Sequence, residues 1–317
     1  MVSFNDIEAA HERIKAYIVH TPVMTSTTVD KMMEAFVFLK CENFQRVGAF
    51  KFRGALNTVS LLTDDEKKKG VVTHSSGNHA QALALAASLL GVKATIVMPE
   101  NSPRVKVDAT KSYGAEIVFC KSNVQSRVET AQKLIEEHGF TLVHPYNDER
   151  IIAGAGTAAL ELMKEHSPLD IVIAPVGGGG LLSGTSIAVK GLSRTTEVVG
   201  GEPENADDAY RSLRDGVIHP SINPNTIADG LRTSLSDLTF RVIRENVSRI
   251  VTVSENEIVS AMRILWERMK IVVEPSGAVP LAVALRIRSE LHGKRIGLIL
   301  SGGNVDLDGF FAQYGSQ

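Results

Sequence analysis

The stretch Ile171-Val172-Ile173-Ala174-Pro175-Val176-Gly177-Gly178-Gly179-Gly180-Leu181-Leu182 decides the fold. A short apolar run rich in β-branched residues, four glycines and a helical run over 181–190 read as strand, tight turn and helix. The span from Ile171 to Val189 carries no charge. Pro175, Gly177 to Gly180 and Gly184 would nevertheless break a membrane helix, whose backbone must satisfy itself in lipid. No membrane partner is expected.

Outward from this unit the same alternation repeats. Strands are predicted at 71–73, 94–97, 116–119, 171–176, 197–199, 249–253 and 295–300. Helices are predicted after Ser3, over 51–62, 79–90 and 126–138, and after Ser254, which has capping-box spacing to Glu257. Gly91, Gly114, Gly139 and Gly293 fall where helices should stop. The pattern predicts an α/β fold of open, mostly parallel twisted sheets with helices on both faces. The helix over 80–90 is apolar nearly all round and should be buried. Residues 71–149 hold a compact series of strand and helix units, read as a small domain, with 1–70 and 150–317 forming the large one. No Pro/Ser linker or internal repeat separates them.

The 317 residues allow about two domains. Hydrophobic residues make up 44% and charged residues 22%, so a folded globular chain is expected rather than a disordered one. Lys plus Arg number 34 against 36 Asp plus Glu, a net charge of −2, and no sequence-wide basic field exists to attract nucleic acid. Two cysteines, Cys41 and Cys120, form no CxxC pair and suit a reducing, cytoplasmic setting. Asp6, Glu8 and Glu12 precede any apolar run, unlike an export signal.

Gly177, Gly178, Gly179 and Gly180 lack Cβ atoms, so backbone N–H groups can converge on an anion at a helix N-terminus. A bare turn would need only one or two glycines. The motif is neither GxGxxG with its distal acid nor a GK[ST] triphosphate loop, and a monophosphate on a cofactor is the expected ligand. Lys51 stands in Gly48-Ala49-Phe50-Lys51-Phe52-Arg53-Gly54. Flanking rings, a helix start and Arg53 would disfavour its charge and leave a nucleophilic amine, although spacing alone favours a surface lysine. Ser75-Ser76-Gly77-Asn78-His79 follows a strand end, where open α/β sheets bind ligands, and suits a carboxylate; a capped helix start is the plainer reading. Ser301-Gly302-Gly303-Asn304 ends the last strand similarly, or is a bare turn. Glu202, Asp207 and Asp208 offer oxygens to a hard cation, or simply an acidic first helical turn, which spacing alone favours. The histidines His74, His79 and His144 read as packing or hydrogen-bonding groups.

In this order, these blocks resemble the fold-type II pyridoxal 5′-phosphate enzymes (tryptophan synthase β-like), most closely the serine racemase and serine/threonine dehydratase group. Glu202-Pro203-Glu204-Asn205-Ala206-Asp207-Asp208 and Trp266-Glu267-Arg268-Met269-Lys270 belong to the same likeness, which runs almost end to end. The resemblance implies that Lys51 holds the cofactor covalently, Gly177 to Gly180 bind its phosphate, Asn78 meets the ring hydroxyl, Phe50 packs on the ring and Ser301 meets the pyridine nitrogen. Ser75, Ser76, Asn78 and His79 would line the substrate carboxylate site with Arg127 nearby. Lys51 and Ser76 would act on opposite faces of the substrate Cα. It further implies Mg²⁺, Ca²⁺ or Mn²⁺ at Glu202, the Ala206 carbonyl and Asp208, and a homodimer. Animal relatives bind ATP through a lysine where this chain has Arg46, and Thr25 to Thr28 differ too; ATP is named as an activator without its residues carrying over.

The activity so implied interconverts L- and D-serine, with side β-elimination to pyruvate and ammonia. The alternative is an L-serine/L-threonine or threo-3-hydroxyaspartate dehydratase without significant racemisation. Dedicated threonine dehydratases typically show alanine at the position of Ser76, and often a C-terminal regulatory domain for which 317 residues leave no room. A dinucleotide oxidoreductase would leave Lys51 and Ser301 without a role, and a silent binding relative would not need Lys51, Ser76 and Ser301 together.

Overall fold

The computed structural model describes residues 1–75, 77–102 and 104–314. Among these lie ten strands: β1 (Val23–Met24), β2 (Phe36–Cys41), β3 (Val71–His74), β4 (Ala94–Pro99), β5 (Glu116–Cys120), β6 (Thr141–Leu142), β7 (Ile171–Pro175), β8 (Glu197–Pro203), β9 (Arg249–Val253) and β10 (Arg295–Leu300). They build a six-stranded sheet in the order β1-β2-β10-β7-β8-β9 and a four-stranded sheet in the order β5-β4-β3-β6. Only β1 pairs antiparallel, so the expected parallel α/β architecture is present.

Both sheets are covered on both sides, and the strand sequences show why. Ile171 and Ile173 of β7 join a core with Val37, Leu39, Ile296 and Leu298, whereas Val172 and Ala174 face the opposite core with Val198 and Ile299. In the small sheet, Val71 and Ile96 face one core and Val72 and Val97 the other. Alternation in a strand buried on both faces sends successive apolar residues to different layers, which is why these runs are continuously hydrophobic.

Seven predicted strands are present; β1, β2 and β6 were not predicted. The capping box of Ser254 and Glu257 forms as expected, and Gly91, Gly114, Gly139 and Gly293 all take positive φ. The Asn78–Leu89 helix is buried almost throughout and shares a core with Phe52, Ala55, Leu56 and Val59 of the Lys51–Ser60 helix. That second helix also leans on the Glu149–His166 helix so closely that a Cβ on Gly154 would stand 2.6 Å from the Arg53 carbonyl oxygen. The Lys51 helix therefore lies between the elements around the two sheets.

Candidate active site

Lys51 is the first residue of its helix, and its Nζ donates to the Pro145 carbonyl at 2.8 Å. The next residue, Tyr146, lies on the glycine turn. A Cβ on Gly178 would come within 2.3 Å of Tyr146 Cδ1, and one on Gly180 within 3.0 Å of Tyr146 Cβ. Gly179, at φ 86, takes the left-handed conformation that a side chain would strain. Residues 145–146 thus join the lysine amine to the turn, and that turn opens the Gly180–Leu192 helix.

Burial pulls the Lys51 amine down to about 8, against the opposing effect of the Glu274 carboxylate. The source of the shift agrees with the desolvation expected from the sequence and corrects the part given to Arg53. The Phe50 ring centroid lies 5.1 Å from Nζ, an arrangement that favours the cation, so the rings act only by excluding water. Arg53 is spent elsewhere: Nε and Nη2 donate to Glu42 at 2.7 and 2.9 Å, and Nη1 and Nη2 to Glu161 at 2.7 and 2.8 Å.

The far end of the chain closes the site. Phe50 N donates to the Ser301 carbonyl at 3.0 Å, and Ala49 forms a β-bridge with Gly302. Asn78 Nδ2 donates to both oxygens of Glu274, at 3.0 and 3.1 Å, while Asn78 Oδ1 accepts from Asn304 Nδ2 at 2.9 Å. Phe50, Lys51, Asn78, the four glycines and Ser301 therefore gather around one locus. Ser75 Oγ accepts from Gly77 N at 3.3 Å, turning the loop after β3. His79 is buried, with Nε2 3.0 Å from the Val143 carbonyl, and burial with Lys51 nearby drives its pKa to about 3. It is a neutral imidazole that ties the loop to the chain after β6. Arg127, half-buried on the Val124–His138 helix, lies close enough to His74 to lower its pKa, though burial is the larger cause. Ser76 lies outside the described residues.

The sequence pattern of the family described as "Pyridoxal-phosphate dependent enzyme" matches residues 14–302, most of the chain. The chain belongs to that family. Over 306 residues it is 49% identical to the β-hydroxyaspartate dehydratase of Paracoccus denitrificans (strain Pd 1222), covering 96% of this chain and 97% of that one. Over 310 residues it is 48% identical to a serine racemase of Dictyostelium discoideum, covering 96% of each. The crystal structure of serine racemase from Dictyostelium discoideum superposes with a TM-score of 0.93 over 96% of this chain and 99% of that one, at 48% identity.

The residues of this pyridoxal-phosphate dependent enzyme suit the cofactor. The glycine turn is a cradle in which a side chain would collide, at a helix N-terminus that favours a phosphate, and an amine of depressed pKa stands beside it. Two further groups lie at the locus: Glu274, which the sequence reading did not single out, and His144, which it read as a packing or hydrogen-bonding group. Glu274 is buried, and burial lifts its pKa to about 7, while the Asn78 hydrogen bond pulls it down. Its only sequence signal, an acidic residue before the first proline of a helix, points to a cap. His144 accepts from the backbone N–H of Asn147 at 2.9 Å through Nδ1, and burial with His74 and Lys51 nearby holds its pKa at about 4.

The structure gives the members of the acidic block different surroundings. Glu202, at the end of β8, accepts from Ala209 N at 3.0 Å and Tyr210 N at 2.8 Å, so it does complement a helix N-terminus. Asp208 is fully buried and neither of its carboxylate oxygens has a hydrogen-bond partner. Burial raises Asp208 to about 6, and burial with Asp208 nearby raises Glu202. Two buried carboxylates, one of them unsatisfied, suit a hard cation. Among the described residues no group of three or more His, Cys, Asp or Glu gathers as a metal site, so a backbone carbonyl such as that of Ala206 would have to contribute. Arg46 is exposed, and its Nε donates to the Tyr17 carbonyl. No helix is long and apolar enough to cross a membrane among the described residues.

Proposed function

We propose that this enzyme interconverts L- and D-serine and, as a side reaction, eliminates the β-hydroxyl to give pyruvate and ammonia. The observation that carries the reading is the Lys51 amine, pulled to about 8 by burial and linked through Pro145 and Tyr146 to the glycine turn. When bound, the cofactor withdraws electrons from the amino acid Cα and makes its proton removable. Lys51 takes that proton from one face as general base. Ser76 handles the proton of the opposite face; delivery there inverts the centre, whereas departure of the β-hydroxyl as water commits the substrate to elimination. Ser75, Ser76, Asn78, His79 and Arg127 hold the substrate carboxylate. Gly177 to Gly180 hold the phosphate, Phe50 packs on the ring, and Ser301 meets the pyridine nitrogen with a neutral hydroxyl, which cannot keep it protonated as a carboxylate would.

In the same reading residues 71–149 are a small mobile domain that closes over the substrate on the large domain of 1–70 and 150–317. The enzyme acts as a cytoplasmic homodimer. Ser76→Ala is expected to stop D-serine formation while part of the pyruvate formation survives, read by a chiral amino acid assay beside a keto-acid assay on one preparation. Equal loss of both products would remove Ser76 from its role.

A second reading, dehydration of threo-3-hydroxyaspartate without significant racemisation, is supported by the 49% identity to the Paracoccus denitrificans dehydratase. Production of oxaloacetate from that substrate with no D-serine from L-serine would decide for it.

Mg²⁺, or Ca²⁺ or Mn²⁺ in its place, is proposed to bind Glu202, the Ala206 carbonyl and Asp208, neutralising two buried carboxylates. In thermal unfolding, wild-type protein should gain stability on adding Mg²⁺, while Asp208→Asn should not respond. Metal-free Asp208→Asn should be no less stable than metal-free wild type, because the buried charge it removes has no hydrogen-bond partner. An unchanged Mg²⁺ response in the variant would place the cation elsewhere.

A further inference from the structure

Asn78 is held from both ends of its side-chain amide. Its Nδ2 donates to Glu274 Oε1 at 3.0 Å and Oε2 at 3.1 Å, and its Oδ1 accepts from Asn304 Nδ2 at 2.9 Å. Asn304 is itself anchored: its backbone N–H donates to Glu274 Oε2 at 3.1 Å, and its Nδ2 also donates to the Val47 carbonyl at 2.7 Å. Val47, at φ 54, is a β-branched residue in the left-handed region, followed by Gly48 at φ 69, immediately before the segment that carries Lys51. A valine there is strained and persists where its surroundings dictate it. Glu274 N donates to the Gly302 carbonyl at 3.0 Å, tying this group to the turn after β10. One buried carboxylate thus sits at the centre of a network joining the Lys51 turn, Asn78 and the Ser301 turn.

We propose that Glu274 is a positioning residue for the cofactor: by accepting from Asn78 while Asn304 donates to the same amide, it directs an Asn78 N–H, rather than its carbonyl, to the ring hydroxyl of the bound cofactor. This rests on the reading, implied by the family resemblance, that Asn78 meets the ring hydroxyl of the cofactor. An Asn or Gln amide has a donor end and an acceptor end that shape alone does not distinguish. Here the choice is made by partners of fixed polarity. Both Glu274 oxygens face N–H donors, Asn78 Nδ2 and the Asn304 backbone, so the carboxyl group accepts there, and the Asn304 N–H can only donate. With Oδ1 paired to Asn304 and one Nδ2 hydrogen shared between the two oxygens of Glu274, the second Nδ2 hydrogen, which diverges from the first, remains as donor.

Glutamine cannot take over this role. If its oxygen stands at the Oε2 position, accepting from Asn304 N, its NH2 group opposes Asn78 Nδ2; if reversed, it opposes Asn304 N. Either arrangement sets donor against donor. The test compares holo wild type with Glu274→Gln, Asn78→Ala and the double variant, reading the pyridoxal phosphate dissociation constant and the visible absorption band of the lysine-bound cofactor. Glu274→Gln should weaken pyridoxal phosphate binding roughly 10-fold, the scale of one charge-assisted hydrogen bond, and move the band. In the Asn78→Ala background the same change should do little more, because the partner through which it acts is gone. Asn304→Ser removes the opposing donor and should shift the band in the same way, which keeps the idea testable if Glu274→Gln does not fold. A wild-type band and dissociation constant in both Glu274→Gln and Asn304→Ser, or effects of Glu274→Gln that add fully to those of Asn78→Ala, would overturn the inference while leaving the enzyme class intact. Failure of wild-type protein to bind pyridoxal phosphate at all would overturn both.

Discussion

Lys51→Ala is expected to abolish the visible band of the covalently held cofactor and to lower both racemisation and elimination by at least about 10³-fold, within the range that a positioned acid or base supplies. The argument is geometric before it is electrostatic. Lys51 Nζ has a carbonyl partner, Pro145 O at 2.8 Å, and the residue after that partner packs on the glycine turn. On the proposed reading, with the cofactor phosphate in the turn, an amine in this position would reach the cofactor, and its pKa of about 8 leaves a neutral fraction near neutral pH. The helix itself should survive, because alanine is a better helix former and the buried residues of that helix begin at Phe52. Thermal unfolding close to wild type, together with lost colour and lost turnover, is therefore the expected set of results. A variant that retained the band and more than about a tenth of the turnover would remove the lysine from the chemistry.

Two residues further on, Arg53→Met should cost about 3–5 kcal/mol of folding stability in urea unfolding, the scale found when a buried ion pair loses one partner. Arg53 is fully buried between Glu42 and Glu161, and Lys40, also fully buried, donates to Glu161 Oε2 at 2.6 Å and to the Thr21 carbonyl at 2.7 Å. Thr21 Oγ1 donates to Glu42 Oε1 at 2.6 Å and Arg53 Nη1 to Thr157 Oγ1 at 3.1 Å, so the two cations and two carboxylates are neutral as a set and richly hydrogen-bonded. Methionine keeps much of the volume but strands two carboxylates beside a single lysine. A loss below about 1 kcal/mol would mean that water reaches this network.

The same network explains part of what the sequence hid. β2 reads Phe36-Val37-Phe38-Leu39-Lys40-Cys41, and Val37, Leu39 and Cys41 alternate into the core as a strand should. Lys40 on the other face interrupts the apolar pattern, and nothing local reveals that its charge meets Glu161 across the fold. β1 and β6 have two residues each, too short for any periodicity. The glycine turn was legible because four glycines exceed what a plain turn requires, whereas the Lys51 block and the Ser301 turn took their roles only from the family resemblance, since a surface lysine and a bare turn would fit the residues alone. Glu274 was not legible, because its role comes from Asn78 and Asn304, 196 and 30 residues away in the chain. Arg53 was misread for the same reason: neighbours in sequence suggested a charge acting on Lys51, whereas its true partners are Glu42 and Glu161.

The stitching of Ala49 and Phe50 to Gly302 and Ser301 has a consequence for how the protein matures. β10 enters between β2 and β7, so the large sheet stays split until residues 295–300 have been made and have joined it. Until then the lysine's turn lacks the backbone that fixes it, and vitamin B6 has no finished seat. On the proposed reading of the site, a fragment that stops short of residue 302 would bind no coenzyme and remain colourless.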